Sequence, residues 1–526
     1  MLQPGDAEFV SFRATIPTDL PSMTPPAQPS PIPAQTEQNS RNTWQDRLGH
    51  SEALKLVALV VVFTLPAFLF LRNFFMSDPD FGWHLRAGEW ILSHHAVPYT
   101  DPFSMYGAGK PWYDYSWLFD ICFALIYRAF GLAGFALLEV AFRVAIPAFI
   151  FRMARKLELA FWPAALCTVL AAYSISSIYA PRPGMVTILF FAIELELLLT
   201  AVNKRKFARL YWLVPLFAVW ASVHIQFIHG LIVLALFAGE PILNFVTRYK
   251  AEPAALPAKS WWVVAASFLA TLVTPYGWHI YSTVFVYARQ KHIYDSIIEM
   301  LPMSFRQPFH FVLVFLAFCA VGALGWRRNL RPVYLALFAF AAILGFRSIK
   351  DTWILAVVSV ALIAAALRTD TGDTRHIPSL TPKNKLALGI CMAAVLAVAW
   401  RRYDVTNSWI EMGLAGSYPE AAVRYVEKHQ LQGPLYNDFT SGGFLIWRLP
   451  SIPVSIDGRT NVHGDDRVKA YTDALRGLPG WEKDLDLAQA NLIIWPAKSP
   501  LSALLRCDPR FKQVFADPQA VVFVRK

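Results

Sequence analysis

Two carboxylates one residue apart, Asp78-Pro79-Asp80, stand beside Phe81 and Trp83 and are followed by His84, Arg86 and Glu89. Carboxylates this close, flanked by apolar groups, raise each other's proton affinity, which suits one of them to act as a general base or both to bind a metal ion. Asp80 is the stronger candidate for the base. Asp78 also suits the cap of a helix whose first turn takes Pro79. Asp80 and His84 are four apart and share one helical face, leaving Phe81, Leu85 and Trp90 to lie on a membrane surface. His84 is read as a catalytic partner of the aspartates and Arg86 as a substrate contact. Their alternatives are headgroup contact and a local ion pair with Glu89.

Further polar groups punctuate the apolar sequence: Arg182 between two prolines, His224 and His229 around a tight turn, Glu299 in one loop, and Arg347 and Lys350 in another. Acid, imidazole and base on one membrane face would suit a reaction between a membrane-bound phosphate and a polar acceptor. For each group alone, a wet loop at an interface is sufficient reason for its charge. Glu139 and Arg143, four apart within an apolar run, read as a structural pair. Glu194 and Glu196 stand in the middle of another run, where a structural role and a proton or substrate pathway are both open.

The elements that must position these groups are membrane helices. The chain has 526 residues, 56% of them hydrophobic and 16% charged, with a mean hydropathy of +0.39, too apolar for one water-soluble core. Eighteen Trp and nineteen Tyr suit two membrane–water interfaces. The net charge of +11 sits mostly in short loops between apolar runs, where it sets orientation and meets anionic lipid, so membrane lipid and not nucleic acid is the expected partner. The five cysteines form no disulfide or metal-type spacing.

Eleven runs are long enough, or nearly so, to cross a bilayer: 53–71, 132–151, 159–178, 183–202, 210–225, 227–245, 261–285, 311–326, 333–346, 352–367 and 386–400. The Pro-rich residues 1–50 read as a disordered cytoplasmic tail, and the first run as a retained signal anchor. A twelfth run, 117–130, holds Asp120 and Arg128 and reads as an interfacial helix. If it lies flat, five loops carrying seventeen basic residues, among them Lys204-Arg205-Lys206 and Arg327-Arg328, all fall on the cytoplasmic side. The expectation is a mainly α, polytopic membrane protein, N-terminus in and C-terminus out. Its body would span 51–402 with interfacial helices in a large external loop, 72–131. Residues 403–526 read as a small external α/β domain, with helices at 418–430, 483–489 and 501–506 and strands at 434–437, 452–456, 490–495, 511–515 and 520–524. Asn437-Asp438, Gly442-Gly443 and Asp457-Gly458-Arg459 in that domain could bind a sugar or phosphate, yet Asp-Gly is first a turn signal.

The layout resembles the integral-membrane glycosyltransferases of the C-type fold, in particular bacterial relatives of the dolichyl-phosphate-mannose-protein mannosyltransferase and lipid A sugar-transferase superfamily. An acidic motif after the first span, a large first external loop, a many-helix body and an external C-terminal domain carry the likeness. So does the local texture of Trp83-His84-Leu85, Val97-Pro98, Asp101-Pro102-Phe103-Ser104, Ala180-Pro181-Arg182-Pro183, His229-Gly230 and Thr274-Pro275-Tyr276-Gly277. The resemblance implies a bacterial inner-membrane enzyme with its C-terminal domain in the periplasm. Its donor would be a sugar on a polyprenyl phosphate and its acceptor an envelope lipid, polysaccharide or protein, with inversion at the anomeric carbon. Asp80 then corresponds to the family aspartate, with Asp78 second, and Arg182, Arg347 and Lys350 would hold the lipid phosphate. It implies no cofactor with certainty; some branches use a divalent metal, for which Asp78 and Asp80 would be the ligands. Competing readings are a flippase of lipid-linked sugars, motivated by Glu194 and Glu196 although no internal repeat accompanies them, and a scaffold or sensor reading through its C-terminal domain.

Overall fold

A computed structural model describes residues 51–73, 78–250, 256–368 and 381–526; the expected disordered tail lies outside them. Leu56–Lys526 forms one compact unit, and the other unit, Met1–Lys55, contributes residues 51–55. The helices of the body are α1 (Glu52–Arg72), α2 (Phe81–His94), α3 (Trp117–Phe130), α4 (Ala133–Lys156), α5 (Phe161–Ser174), α6 (Gly184–Lys204), α7 (Leu213–Val223), α8 (Phe227–Ala238), α9 (Glu240–Thr247) and α10 (Ser260–Thr271). They continue with α11 (His279–Arg289), α12 (His292–Ser296), α13 (Pro308–Trp326), α14 (Pro332–Arg347), α15 (Thr352–Ala366) and α16 (Pro382–Arg402).

Each of the eleven apolar runs falls on helix. Among the described residues six helices, α1, α4, α6, α13, the stretch Ile349–Ala366 and α16, are long and apolar enough to cross a membrane. The chain is thus a multi-pass membrane protein. Two runs expected as single spans are broken. The run 227–245 bends by 54° between α8 and α9, where Gly239 and Pro241 interrupt the hydrogen-bond ladder. The run 261–285 parts into α10 and α11 around Pro275 and Gly277, the latter at φ 53°. Every residue of α15 is buried, which makes it the central helix, whereas α16 buries only Ala399 and faces outward.

The C-terminal region contains α17 (Asn407–Ser417), α18 (Glu420–Lys428), β1 (Leu435–Asn437), α19 (Phe439–Arg448), α20 (Thr460–Leu475), α21 (Leu485–Gln489), β2 (Leu492–Pro496), α22 (Pro500–Cys507), β3 (Phe511–Ala516) and β4 (Ala520–Arg525). The sheet order is β1-β2-β4-β3, with β1 parallel to β2 and the other pairs antiparallel. The expected strand at 452–456 is absent from it. Val454 instead makes single bridges to Leu435 and to Ser104 of the first large loop, and its N–H and C=O are taken by Phe103 and Met105 at 3.2 and 2.8 Å.

That loop departs from the sequence expectation in one respect. Phe81 and Leu85 do not lie on a membrane surface: both are fully buried within the protein. Phe81 meets Phe135, Tyr418 and Trp447 edge to face at 5.6 to 5.8 Å. The apolar face of α2 is covered by α19 and the start of α4, because aromatic burial against protein is available there.

Candidate active site

Glycines set the position of the Asp78–Asp80 segment. A Cβ on Gly82 would overlap the carbonyl oxygen of Gly443, one on Gly443 would overlap that of Pro79, and one on Gly458 would overlap Asp80 Oδ1. Helices α2 and α19 therefore meet backbone to backbone, and the C-terminal region closes directly on the acidic motif. Asp78 does not cap α2 at its first turn; its Oδ1 accepts from the Asp80 N–H at 3.0 Å, and its carbonyl accepts from the Tyr418 hydroxyl at 2.7 Å. Asp80 precedes the first helical residue, and its Oδ1 accepts from the Trp83 indole at 2.9 Å. Burial, reinforced by the charges of Asp78 and Glu299, pushes the Asp80 carboxyl up to about 6.

His84 stacks on Trp83 at 3.6 Å, and its Nδ1 lies 2.6 Å from Asp120 Oδ1. Burial holds the imidazole down at about 4, against the pull of the surrounding carboxylates, so the ring is neutral at pH 7. Behind it the Ser116 hydroxyl bridges Asp114 Oδ1 at 3.0 Å and Asp120 Oδ2 at 3.3 Å. Burial pushes both of these carboxyls well above the usual range, and at Asp114 the neighbouring Asp120 adds to it. His84 is thus held from behind by a buried acidic pair that the sequence did not connect to it.

A second cluster stands in the loops preceding α6, α13 and α15. The Arg182 guanidinium donates to Glu299 Oε2 at 2.9 Å, and the Lys350 ammonium lies 3.6 Å from Glu299 Oε1. Burial alone would raise the Glu299 carboxyl, but Arg182 and Lys350 outweigh it and hold it down at about 2. Burial likewise opposes the charge on Arg182, and Glu299, Asp78 and Asp80 together keep it firmly protonated. The group carries one net positive charge. His224 faces the same space, its Nδ1 2.9 Å from the Thr187 hydroxyl, which in turn accepts from the Trp220 indole at 2.9 Å.

These groups share one cavity of about 890 Å³. Asp78, Asp80, His84, Arg182, His224, Glu299 and Lys350 line it, together with Tyr115 and Tyr287 and, from the C-terminal region, Thr440, Gly458 and Thr460. Three candidates are not in its wall. Arg86 pairs with Glu89 at 3.2 Å, His229 packs edge-on to Phe340, and the exposed Arg347 lies over the Tyr294 ring at 4.5 Å.

Asp457-Gly458-Arg459 does more than turn the chain. Arg459 is fully buried and donates to Asp457 at 2.8 Å and to Asp101 of the first large loop at 2.6 Å. It lies over the Trp112 ring at 4.6 Å, and His463 reaches Asp457 at 3.0 Å. Burial would raise the Asp457 carboxyl, yet Arg459 and His463 hold it well below the carboxylate range. This ion cluster fixes Gly458 against Asp80. Among the described residues no group of three or more His, Cys, Asp or Glu stands where it could hold a metal ion. The Asp78–Asp80 pair therefore lacks a third protein ligand of those types, and no step below is routed through a metal.

No protein-family model and no curated protein sequence matches the chain. Among solved structures it is similar to ArnT from Cupriavidus metallidurans bound to undecaprenyl phosphate, with 15% identity, 93% of this chain and 98% of that one covered, and a TM-score of 0.46. It is also similar to the oligosaccharyltransferase of Archaeoglobus fulgidus in its apo form, with 10% identity, 87% and 70% covered, and a TM-score of 0.46.

Proposed function

We propose that the chain is an inner-membrane glycosyltransferase that moves a sugar from a polyprenyl-phosphate-linked donor to a cell-envelope acceptor at the periplasmic face. The observation that supports this most is the sharing of one cavity by a carboxyl poised near 6, Asp80, and a net-cationic cluster, Arg182–Glu299–Lys350. Asp80 takes the proton of an acceptor hydroxyl as its oxygen attacks the anomeric carbon. The bond from that carbon to the phosphate oxygen breaks, and its electron pair stays on the phosphate. A phosphodiester carries one negative charge and the departing phosphate monoester more, so Arg182 and Lys350 stabilise the products of bond breaking over the bound donor. Attack opposite the leaving phosphate inverts the centre. Tyr115, Tyr287 and the C-terminal region line the same cavity beside these groups.

The test is Asp80→Asn in proteoliposomes supplied with glycosylated undecaprenyl phosphate. Transfer should fall on the order of a thousandfold while the protein stays folded and inserted. Retained turnover removes Asp80 from this role. Movement of labelled lipid across the bilayer without a new glycosidic bond identifies a flippase instead.

A further inference from the structure

His84 stands in the cavity wall with one ring nitrogen engaged and the other free. A Cβ on Gly88 of α2 would overlap the Asp120 carbonyl oxygen of α3, so the two helices meet backbone to backbone and bring Asp120 against a histidine 36 residues before it. Nδ1 lies 2.6 Å from Asp120 Oδ1. Trp83, stacked at 3.6 Å, and Phe119, edge-on at 5.7 Å, fix the plane of the ring. Nε2 has no hydrogen-bond partner among the described residues, and it is not sealed in the interior as an unpartnered atom. Neither Asp114 nor Asp120 lines the cavity. Whatever enters the cavity therefore meets the imidazole and not the acids behind it.

The acids decide what the free nitrogen offers. Burial pushes both carboxyls up; their mutual hydrogen bond then raises Asp114 further and draws Asp120 back down. The proton rests on Asp114, and Asp120 keeps its charge. A carboxylate only accepts, so Nδ1 carries the hydrogen toward Asp120 and Nε2 presents a bare lone pair to the cavity. A carboxylate that fixes the tautomer in this way also backs the histidine base of the serine hydrolases. Here the magnitudes assign the base elsewhere. Asp80, at about 6, holds a proton roughly a hundredfold more tightly than His84, at about 4. The reacting hydroxyl gives its only proton to Asp80, one turn earlier on the same helix, whose carbonyl accepts the His84 N–H at 3.1 Å. What meets Nε2 must then be a different hydrogen-bond donor, which a phosphate at neutral pH is not.

We propose that His84, held in one tautomer by Asp120, is a substrate contact that accepts a hydrogen bond at Nε2 from a hydroxyl beside the reacting centre that does not itself react, which rests on the transferase reading above. Asp120 is the positioning residue. Full-length protein in proteoliposomes is supplied with undecaprenyl phosphate bearing one hexose as donor and isolated cell-envelope material as acceptor. His84→Phe keeps a ring against Trp83 and removes the nitrogen. Its kcat/KM should fall about tenfold through a raised KM, the donor's if the hydroxyl belongs to the donor sugar and the acceptor's if it belongs to the acceptor. Asp120→Asn should lower kcat/KM by a similar factor alone and add nothing to His84→Phe, because it acts only through the ring. Additive losses make Asp120 a structural residue and overturn the pair. Unchanged transfer in folded His84→Phe, or a fall in kcat with both KM values unchanged, overturns the hydroxyl contact. One readout needs no variant: with [15N]histidine, the wild type should show a downfield proton on an imidazole Nδ1 whose Nε2 is bare, and the opposite tautomer at that ring overturns the proposal. A wild type that transfers nothing defeats the transferase reading itself, and the contact with it, whatever the tautomer.

Discussion

At the scale of single residues, the site separates its titrating groups. Burial and two neighbouring carboxylates bring Asp80 to about 6, while burial takes His84 down to about 4. The Asp114 and Asp120 carboxyls are pushed up and share a serine bridge away from the cavity. A base is active only when ionised, so transfer should rise with pH through about 6 with a slope of one proton and level off above it. His84 adds no limb between pH 5 and 8, because it stays neutral throughout that window. A pH profile of kcat/KM checks this; a limb that persists unshifted in Asp80→Glu would assign the titration to another group. Legibility at this scale was uneven. Asp80, Arg182, Glu299 and Lys350 are visible because charge in an apolar chain stands out, and the segments between apolar runs are where it gathers. The partners that hold them are not visible, since Asp120 is 36 residues from His84 and Arg459 is 358 from Asp101. No periodicity encodes such distances. Arg347 and Lys350 show the finest limit: they are three residues apart, yet Arg347 sits over Tyr294 and only Lys350 reaches the cavity.

At the scale of elements, the crossing of α2 and α19 decides where Asp80 sits. Gly82 and Gly443 permit contact that no side chain can share. Gly443→Ala should force the helices apart at a cost of about 1–3 kcal/mol and weaken transfer through displacement of Asp80, with no new group introduced at the site. Gly416 in α17 has open space around its Cβ position, and Gly416→Ala should instead stabilise by roughly 0.5–1 kcal/mol through helix propensity. Melting temperatures in detergent, measured side by side, check the two opposite signs. The glycines that make the crossing also hid it. Thr440-Ser441-Gly442-Gly443 has the composition of a turn, so α19 was not expected, and α20 was obscured by Gly464 at φ 71°. The apolar helices of the body were legible because lipid imposes a length and an apolar composition on each helix independently of its neighbours. Breaks at Gly239 and around Pro275 modify that picture without removing a helix.

At the scale of the molecule, the contact between the C-terminal region and the acidic motif links two questions of sidedness. Residues 403–526 follow α16, the last helix among the described residues with the length and composition to cross a membrane. Gly443 and Gly458 from that region touch Pro79 and Asp80, and Arg459 pairs with Asp101. Whichever compartment holds the C-terminal region therefore holds Asp80, and one exposed position reports on both. Cys507 on α22 is such a position. With the other four cysteines replaced by serine, a membrane-impermeant maleimide should modify Cys507 in intact spheroplasts. An Arg205→Cys variant, with Cys507 also replaced, probes one of the basic loops assigned to the cytoplasm and should react only after lysis. The reversed pattern would put Asp80 in the cytosol, where the charge distribution and a periplasmic transfer reaction could not both stand. Labelling of both cysteines from outside would break the odd number of crossings between them, and with it the eleven-span count.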